Sequence, residues 1–469
     1  MEPERPRLVM IGLDSMSPAL LERFRDRTPR LQALLRQSTQ ATLVSCDPPI
    51  TVPAWAVMCS GADPGMLGLY GFRHRRPGSY DRTYIPASST AQRPMIWDAL
   101  SRAGRRVAVL GMPPGYPPPS VNGVYVSDFL TPDGVTDWAN PSSLVPELAQ
   151  VAGGGFFDVA FRIDDRLAVA RDLFEMTRRR WKVARHVWRK EPWDLFAIHE
   201  IGPDRVHHAF WKYFDQSHPR FAHDAKLSGV AGDFYALLDE EIGQFLDLVG
   251  PDVPVLVASD HGSQAMEGCF CINEWLIDKG LLRLKRPPAR TGTPLEEAWV
   301  DWGKTQVWAA GGYYARFFLN LKGREPQGIV APKDQAALTE RLRSELNQVK
   351  KEDGTPLGVR LFSPSEVYEE VRGDPPDLMA YFGDLRWRSA GTVGHGRWFT
   401  TENDTGPDDA VHSFEGIFAY RDPHDPRGRQ LPPQRIRSVG ATLYSHFGLP
   451  VPGFVRGEPI ILGPARRHR

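Results

Sequence analysis

Six acidic and imidazole side chains stand where they could hold metal ions. Asp14 closes the apolar run Leu8–Leu13, and the pair Asp260-His261 follows the run Val255–Ala258 across Ser259. Asp204 and His208 come a few residues after a third run, 195–198. Their i, i+4 spacing would present both from one face of a helical turn to a single ion. Gly202-Pro203 gives that turn a tight entry, and His412 stands just before a last apolar run, 416–420. A lone Asp behind a strand is commonly a turn former or a helix N-cap, but here the pattern recurs behind several strands. Three carboxylates and three imidazoles suit two divalent transition ions with mixed nitrogen and oxygen ligands. A nucleophile is at hand in Pro48-Pro49-Ile50-Thr51-Val52-Pro53, where flanking prolines restrict the backbone around one hydroxyl. A threonine hydroxyl is a weak nucleophile at its free pKa, and coordination to a metal can generate the alkoxide at neutral pH. Asp408 and Asp409 could support a ligand from behind or form a solvated turn, while His207 and His395 read as structural histidines.

These residues need a scaffold that gathers segments spread from Asp14 to His412, and the apolar runs provide one. Leu8–Leu13, Val107–Leu110, 195–198, Val255–Ala258 and 416–420 are apolar throughout rather than alternating, as strands buried on both faces of a parallel sheet are. Helical stretches lie between them, at 17–37, 95–103, Arg166–Trp188, 221–248 and 333–349. Alternation of this kind predicts an α/β fold with a mostly parallel sheet flanked by helices. Ligands of such sheets bind outside the carboxyl ends of the strands, where Asp14 and Asp260-His261 fall. Residues 131–165 and 282–390 are rich in Pro, Gly and charge, lack the core pattern, and read as inserted cap segments.

At these positions the chain resembles the alkaline phosphatase superfamily, most closely its type I phosphodiesterase/nucleotide pyrophosphatase branch. The residues that carry the resemblance are Gly12-Leu13-Asp14, Thr51-Val52-Pro53, Asp204-x-x-x-His208-Ala-Phe-Trp, Ser259-Asp260-His261-Gly262 and His412 before Glu415-Gly416-Ile417-Phe418. Further stretches look like those of a bacterial and archaeal group of phosphohydrolases or phosphomutases. The resemblance implies one alkaline-phosphatase-like catalytic domain over residues 1–469. It also implies one metal among Asp14, Thr51, Asp260 and His261 and a second among Asp204, His208 and His412. Zinc is the usual ion of such sites, with manganese or iron as alternatives. The implied reaction cleaves a phosphodiester or pyrophosphate bond of a nucleotide-like small molecule through a covalent intermediate on Thr51. The same ligand set serves a phosphomonoesterase or phosphomutase acting on a sugar or nucleoside phosphate, and a metal-binding protein without turnover is a third reading. Pyrophosphatases of this branch place an Asn after the nucleophile to support a phosphate oxygen. Here that region reads Gly71-Phe72-Arg73-His74-Arg75-Arg76, so Arg73, His74 or Arg75 is expected in the role, as guanidinium binds phosphate bidentately.

Composition sets the outer limits. The 469 residues carry 57 Lys and Arg against 57 Asp and Glu, a net charge of zero, so the broad basic footprint of nucleic-acid-polymer binders is missing. A small phosphorylated partner must be held by local charge. No apolar run reaches the ~18 residues of a membrane span. The charged start Met1 to Arg7 precedes too short an apolar run for an export signal. Four cysteines are too few to staple a chain of this length, and the expected location is cytoplasmic.

Overall fold

Every residue of the strand Leu8–Leu13 is buried. Val9, Ile11 and Leu13 enter one hydrophobic core while Leu8 and Met10 enter another. Only a strand inside a sheet covered on both faces can divide its side chains this way. The computed structural model describes residues 7–425 and 427–462, so residues 1–6 of the charged start lie outside the described residues. Its central sheet has ten strands. Leu8–Leu13 lies between Leu195–Glu200 and Val255–Ala258, parallel to both. Val107–Leu110 and then Gly123–Val126 extend the parallel part beyond Leu195–Glu200. On the other side Glu415–Arg421 runs antiparallel to both Val255–Ala258 and Thr39–Val44. Helices Arg166–Trp188, Gly202–Phe214 and Val230–Val249 cover one face, and Thr51–Ser60, Ile96–Arg102 and Arg437–His446 cover the other.

Three expectations about elements change, one of them being that the 221–248 stretch is helical only over Val230–Val249. The 17–37 stretch is not one helix but Pro18–Arg23, a 3₁₀ turn Arg25–Arg27, and Pro29–Arg36. Pro29 lacks the N–H a continuing helix needs and instead opens the second one. Residues 282–390, read as lacking a core pattern, supply five strands of a second, seven-stranded sheet, to which Gly268–Cys271 and Phe399–Thr400 also belong. That sheet has its own core, including Trp275, Phe317, Leu342 and Phe382. Most of its pairings are antiparallel. Val307–Ala310 and Leu378–Phe382 are apolar throughout but short, and Ala315–Leu319 is interrupted by Arg316.

The two sheets meet around the segment that leads into Thr51. Asp47 accepts hydrogen bonds from Tyr381 Oη (3.0 Å) and Arg360 Nη1 (3.1 Å), and its carbonyl accepts one from Tyr368 Oη (2.5 Å). Among the described residues, no helix is long and apolar enough to cross a membrane.

Candidate metal centre

The site begins at the carboxyl end of the central strand. Leu13 pairs with Glu200, and the next amide, that of Asp14, donates to the Glu200 carbonyl at 3.0 Å. The chain then turns through Ser15 at φ 66°, which aims the Ser15 N–H at Asp260 Oδ1, 3.3 Å away. Gly12 is required where it stands, because a Cβ there would lie 2.4 Å from the Trp55 ring. That closeness lets the Trp55 indole N–H donate to Asp14 Oδ2 at 2.8 Å. His199 Nε2 faces the same oxygen at 2.8 Å.

Helix Gly202–Phe214 presents Asp204 and His208 one turn apart. His412 arrives by a different route, a short antiparallel ribbon in which Gly262–Ala265 pairs with Ala410–Ser413 and Ser263 lies opposite His412. Thr51 is the first residue of helix Thr51–Ser60, with its hydroxyl 3.3 Å from His261 Nε2. The seven side chains, all buried, form two groups. In one, donor atoms of Asp14, Asp260 and His261 lie within 4.8 Å of one another, and in the other those of Asp204, His208 and His412 do. The groups are joined by the His261 and His412 rings, stacked at 3.8 Å and 17°.

Each carboxylate keeps one oxygen engaged and one free. Asp14 Oδ1, Asp204 Oδ1 and Asp260 Oδ2 are buried and take no hydrogen bond. Their partner oxygens are held by Trp55, by Arg205 Nη1 at 3.0 Å and by Ser15. The imidazoles are ordered in the same sense. Nδ1 of His208 pairs with Asp408 at 2.7 Å, that of His261 with the Gly262 carbonyl at 3.0 Å, and that of His412 with the Pro49 carbonyl at 2.8 Å. This leaves Nε2 of each ring directed at the orphaned oxygens, 3.2 Å from His208 to Asp204, 3.7 Å from His412 to Asp204 and 3.2 Å from His261 to Asp260. Second atoms tied back, and first atoms converging, is the arrangement that orients metal ligands. Mixed carboxylate and imidazole donors in threes fit divalent transition ions.

Electrostatics points the same way. Burial pushes the Asp14 carboxyl up to about 7. Burial and the neighbouring Asp14 raise Asp260 well above the usual carboxylate range. Asp204 is opposed by burial as well, yet His208 and Arg205 beside it hold it well below that range. Carboxylates crowded in a dry interior are relieved by cations placed between them.

Around this centre the expectations divide. Asp408 supports His208, while Asp409 turns to Lys212 at 3.3 Å. His207 Nε2 pairs with Tyr235 Oη at 2.8 Å and His395 with Thr392 Oγ1 at 2.8 Å, and neither belongs to the two groups. Of the residues expected to support a phosphate oxygen, His74 and Arg75 have protein partners. Arg75 is bidentate to the buried Glu325 at 2.9 and 3.0 Å. His74 accepts the Tyr70 N–H at 3.0 Å and faces Tyr84 Oη at 3.3 Å. Arg73 is exposed, and its carbonyl accepts a hydrogen bond from Arg316. Local sequence could not show these partners, because Glu325 and Arg316 are more than 240 residues away. Three contributors were overlooked. His199 and Trp55 both had a signal, the first at the end of an apolar run and the second one turn after Thr51. Tyr313, whose hydroxyl lies 3.1 Å from His208 Nε2, had none.

Two buried carboxylate and imidazole groups at the carboxyl ends of a mostly parallel, helix-flanked sheet constitute an alkaline-phosphatase-like hydrolase architecture. A family model described as type I phosphodiesterase / nucleotide pyrophosphatase matches residues 8–408. The chain belongs to that family of hydrolases acting on phosphoric ester bonds. No curated protein gives a match. The family match ends before His412, which joins its group through the ribbon with Gly262–Ala265.

Proposed function

We propose that this protein is a two-metal phosphodiesterase of nucleotide-like small molecules that uses Thr51 as its nucleophile. The reading is carried by the convergence of two orphaned donor sets with the Thr51 hydroxyl against one of them. Asp14, Asp260 and His261 with Thr51 would hold one ion, and Asp204, His208 and His412 the other. Mixed carboxylate and imidazole sets suit zinc, with manganese or iron as alternatives. Bound there, two divalent ions would neutralise phosphoryl oxygens and lower the pKa of the threonine hydroxyl and of water.

The chain's own residues supply position and nucleophile. Thr51 opens a ten-residue helix, so the positive end of the helix dipole also faces an entering phosphoryl group. Its position as the first residue of that helix fixes where the Thr51 hydroxyl stands. The Thr51 hydroxyl gives its proton to solvent water, a bond forms from Thr51 Oγ1 to phosphorus while the bond to the departing oxygen breaks, and that oxygen leaves with the electron pair and takes up a proton from solvent. Water then adds to phosphorus and passes a proton to solvent, as the bond to Thr51 Oγ1 breaks and the threonine oxygen regains its proton.

The test compares bis-p-nitrophenyl phosphate, the nitrophenyl ester of thymidine monophosphate and p-nitrophenyl phosphate as substrates of the metal-loaded protein. Diester turnover should dominate, and strong monoester preference would instead favour the phosphomonoesterase or phosphomutase reading. Thr51→Ala should lower turnover at least ~10³-fold while two metals per chain remain on elemental analysis. Undiminished turnover by that variant would remove Thr51 from the chemistry.

A further inference from the structure

The second sheet places one side chain inside the metal centre. Tyr313 lies in the turn between Val307–Ala310 and Ala315–Leu319. The turn is pinned by reciprocal backbone bonds between Gly312 and Ser389, at 2.8 and 2.9 Å. The Tyr313 ring stacks on His412 at 3.9 Å and 26°, and the Arg388 guanidinium covers the ring at 4.3 Å. Its oxygen accepts a hydrogen bond from Arg162 Nη2 at 2.7 Å and lies 3.1 Å from His208 Nε2.

A phenol has one proton to give. Arg162 is donor only, so the Tyr313 proton must be directed to some other atom. The neighbour on that side is His208 Nε2, the atom aimed into the Asp204, His208 and His412 group. If that lone pair serves as a metal ligand, the phenol proton is left for an oxygen entering beside it. The order of the stack fixes which oxygen. His261, His412 and Tyr313 follow one another, with the Thr51 hydroxyl at the His261 end. In-line displacement places the attacking and departing oxygens on opposite sides of phosphorus.

We propose that Tyr313 is a further catalytic residue, the hydrogen-bond donor to the departing oxygen. The proposal rests on the phosphoryl-transfer reading of the site. It gives the second sheet a chemical task. Arg162 and Arg388 hold the phenol in place through its oxygen and its ring face and act as positioning residues.

Tyr313→Phe keeps the ring on His412 and deletes only the hydroxyl. The experiment compares it with the wild type on esters of thymidine monophosphate whose leaving alcohols range from nitrophenol to simple alkanols. Metal content, melting temperature and calorimetric affinity for inorganic phosphate are measured on the same samples. Two metals per chain and an unchanged melting temperature are expected. Phosphate binding should weaken about tenfold, and kcat/KM should fall about tenfold for the nitrophenyl ester and ~10²- to 10³-fold for alkyl esters. A loss equal across all leaving groups, no loss, or loss of a metal ion overturns the role of Tyr313. A wild type that hydrolyses none of the esters overturns the reading of the site itself, whereas hydrolysis by the wild type with an indifferent Tyr313→Phe overturns this proposal alone.

Discussion

His74 shows how a residue that could bind phosphate is committed to structure instead. Its Nε2 accepts the Tyr70 N–H, and its Nδ1 faces Tyr84 Oη, which donates to Asp374 at 2.7 Å. Burial, assisted by the positive charge of Arg316, lowers its pKa from 6.5 to about 3, so the ring is neutral and offers an anion no charge at neutral pH. The sign of the pH dependence follows. Between the two values the unfolded chain binds a proton that the folded chain refuses, so this residue's contribution is intact above pH 6.5 and is lost as the pH falls towards 3. The slope from one such group is about 1.4 kcal/mol per pH unit. Urea unfolding at pH 7.5, 6 and 5 should therefore give a shallower loss of stability for His74→Gln than for the wild type, and parallel losses would contradict the assignment. Arg75 likewise has a partner within the protein. A guanidinium shows its charge in the sequence but not its partner, and Glu325 lies 250 residues away in the chain.

At the scale of elements, the contact between strand Leu8–Leu13 and helix Thr51–Ser60 decides whether Asp14 is correctly placed. Trp55 crosses over Gly12 and donates to Asp14, so the glycine of Gly12-Leu13-Asp14 is there for close approach of an indole. Gly12→Ala must displace a ring that is both buried and hydrogen-bonded, at a cost of about 1–3 kcal/mol. It should also weaken metal retention, because the displaced indole releases Asp14 Oδ2. Denaturant midpoints and elemental analysis check the two effects, and wild-type values for both would show that the contact is slack. Elements of this core were legible because buried parallel strands are apolar at every position, and Arg166–Trp188 was legible because its length and periodicity leave no alternative. The second sheet was not: Ala315–Leu319 is broken by Arg316, and Val307–Ala310 and Leu378–Phe382, though apolar throughout, are short runs set among Pro, Gly and charged residues. The turn that delivers Tyr313 was invisible with it. Asp14, Asp204, His208, Asp260, His261 and His412 stood out by position relative to strands, but their division into two groups follows from pairings such as Ser263 with His412 that no local pattern records.

For the molecule as a whole, a net charge of zero conceals a strongly uneven interior. Three buried carboxylates, each with an oxygen free of hydrogen bonds, lie at the junction of strand ends, a helix and the Gly262–Ala265 ribbon, with Tyr313 stacked on the neighbouring His412. Two divalent ions would bring four positive charges against these three negative ones, making the pocket locally positive within a neutral molecule. Because ions so placed bind the folded chain and not an unfolded one, their affinity becomes stability, about 2.7 kcal/mol for each site at a free ion concentration 100 times its Kd. Chelator-stripped protein should accordingly melt several degrees below the reloaded protein, with a melting temperature that climbs as zinc is titrated back. His412→Ala should reduce that climb by removing a donor from one group while leaving the Asp14, Asp260 and His261 group intact, so part of the response persists. A melting temperature indifferent to both chelation and added metal would mean that the orphaned oxygens hold no ion. The two-metal reading of the site would then fail together with the chemistry built on it.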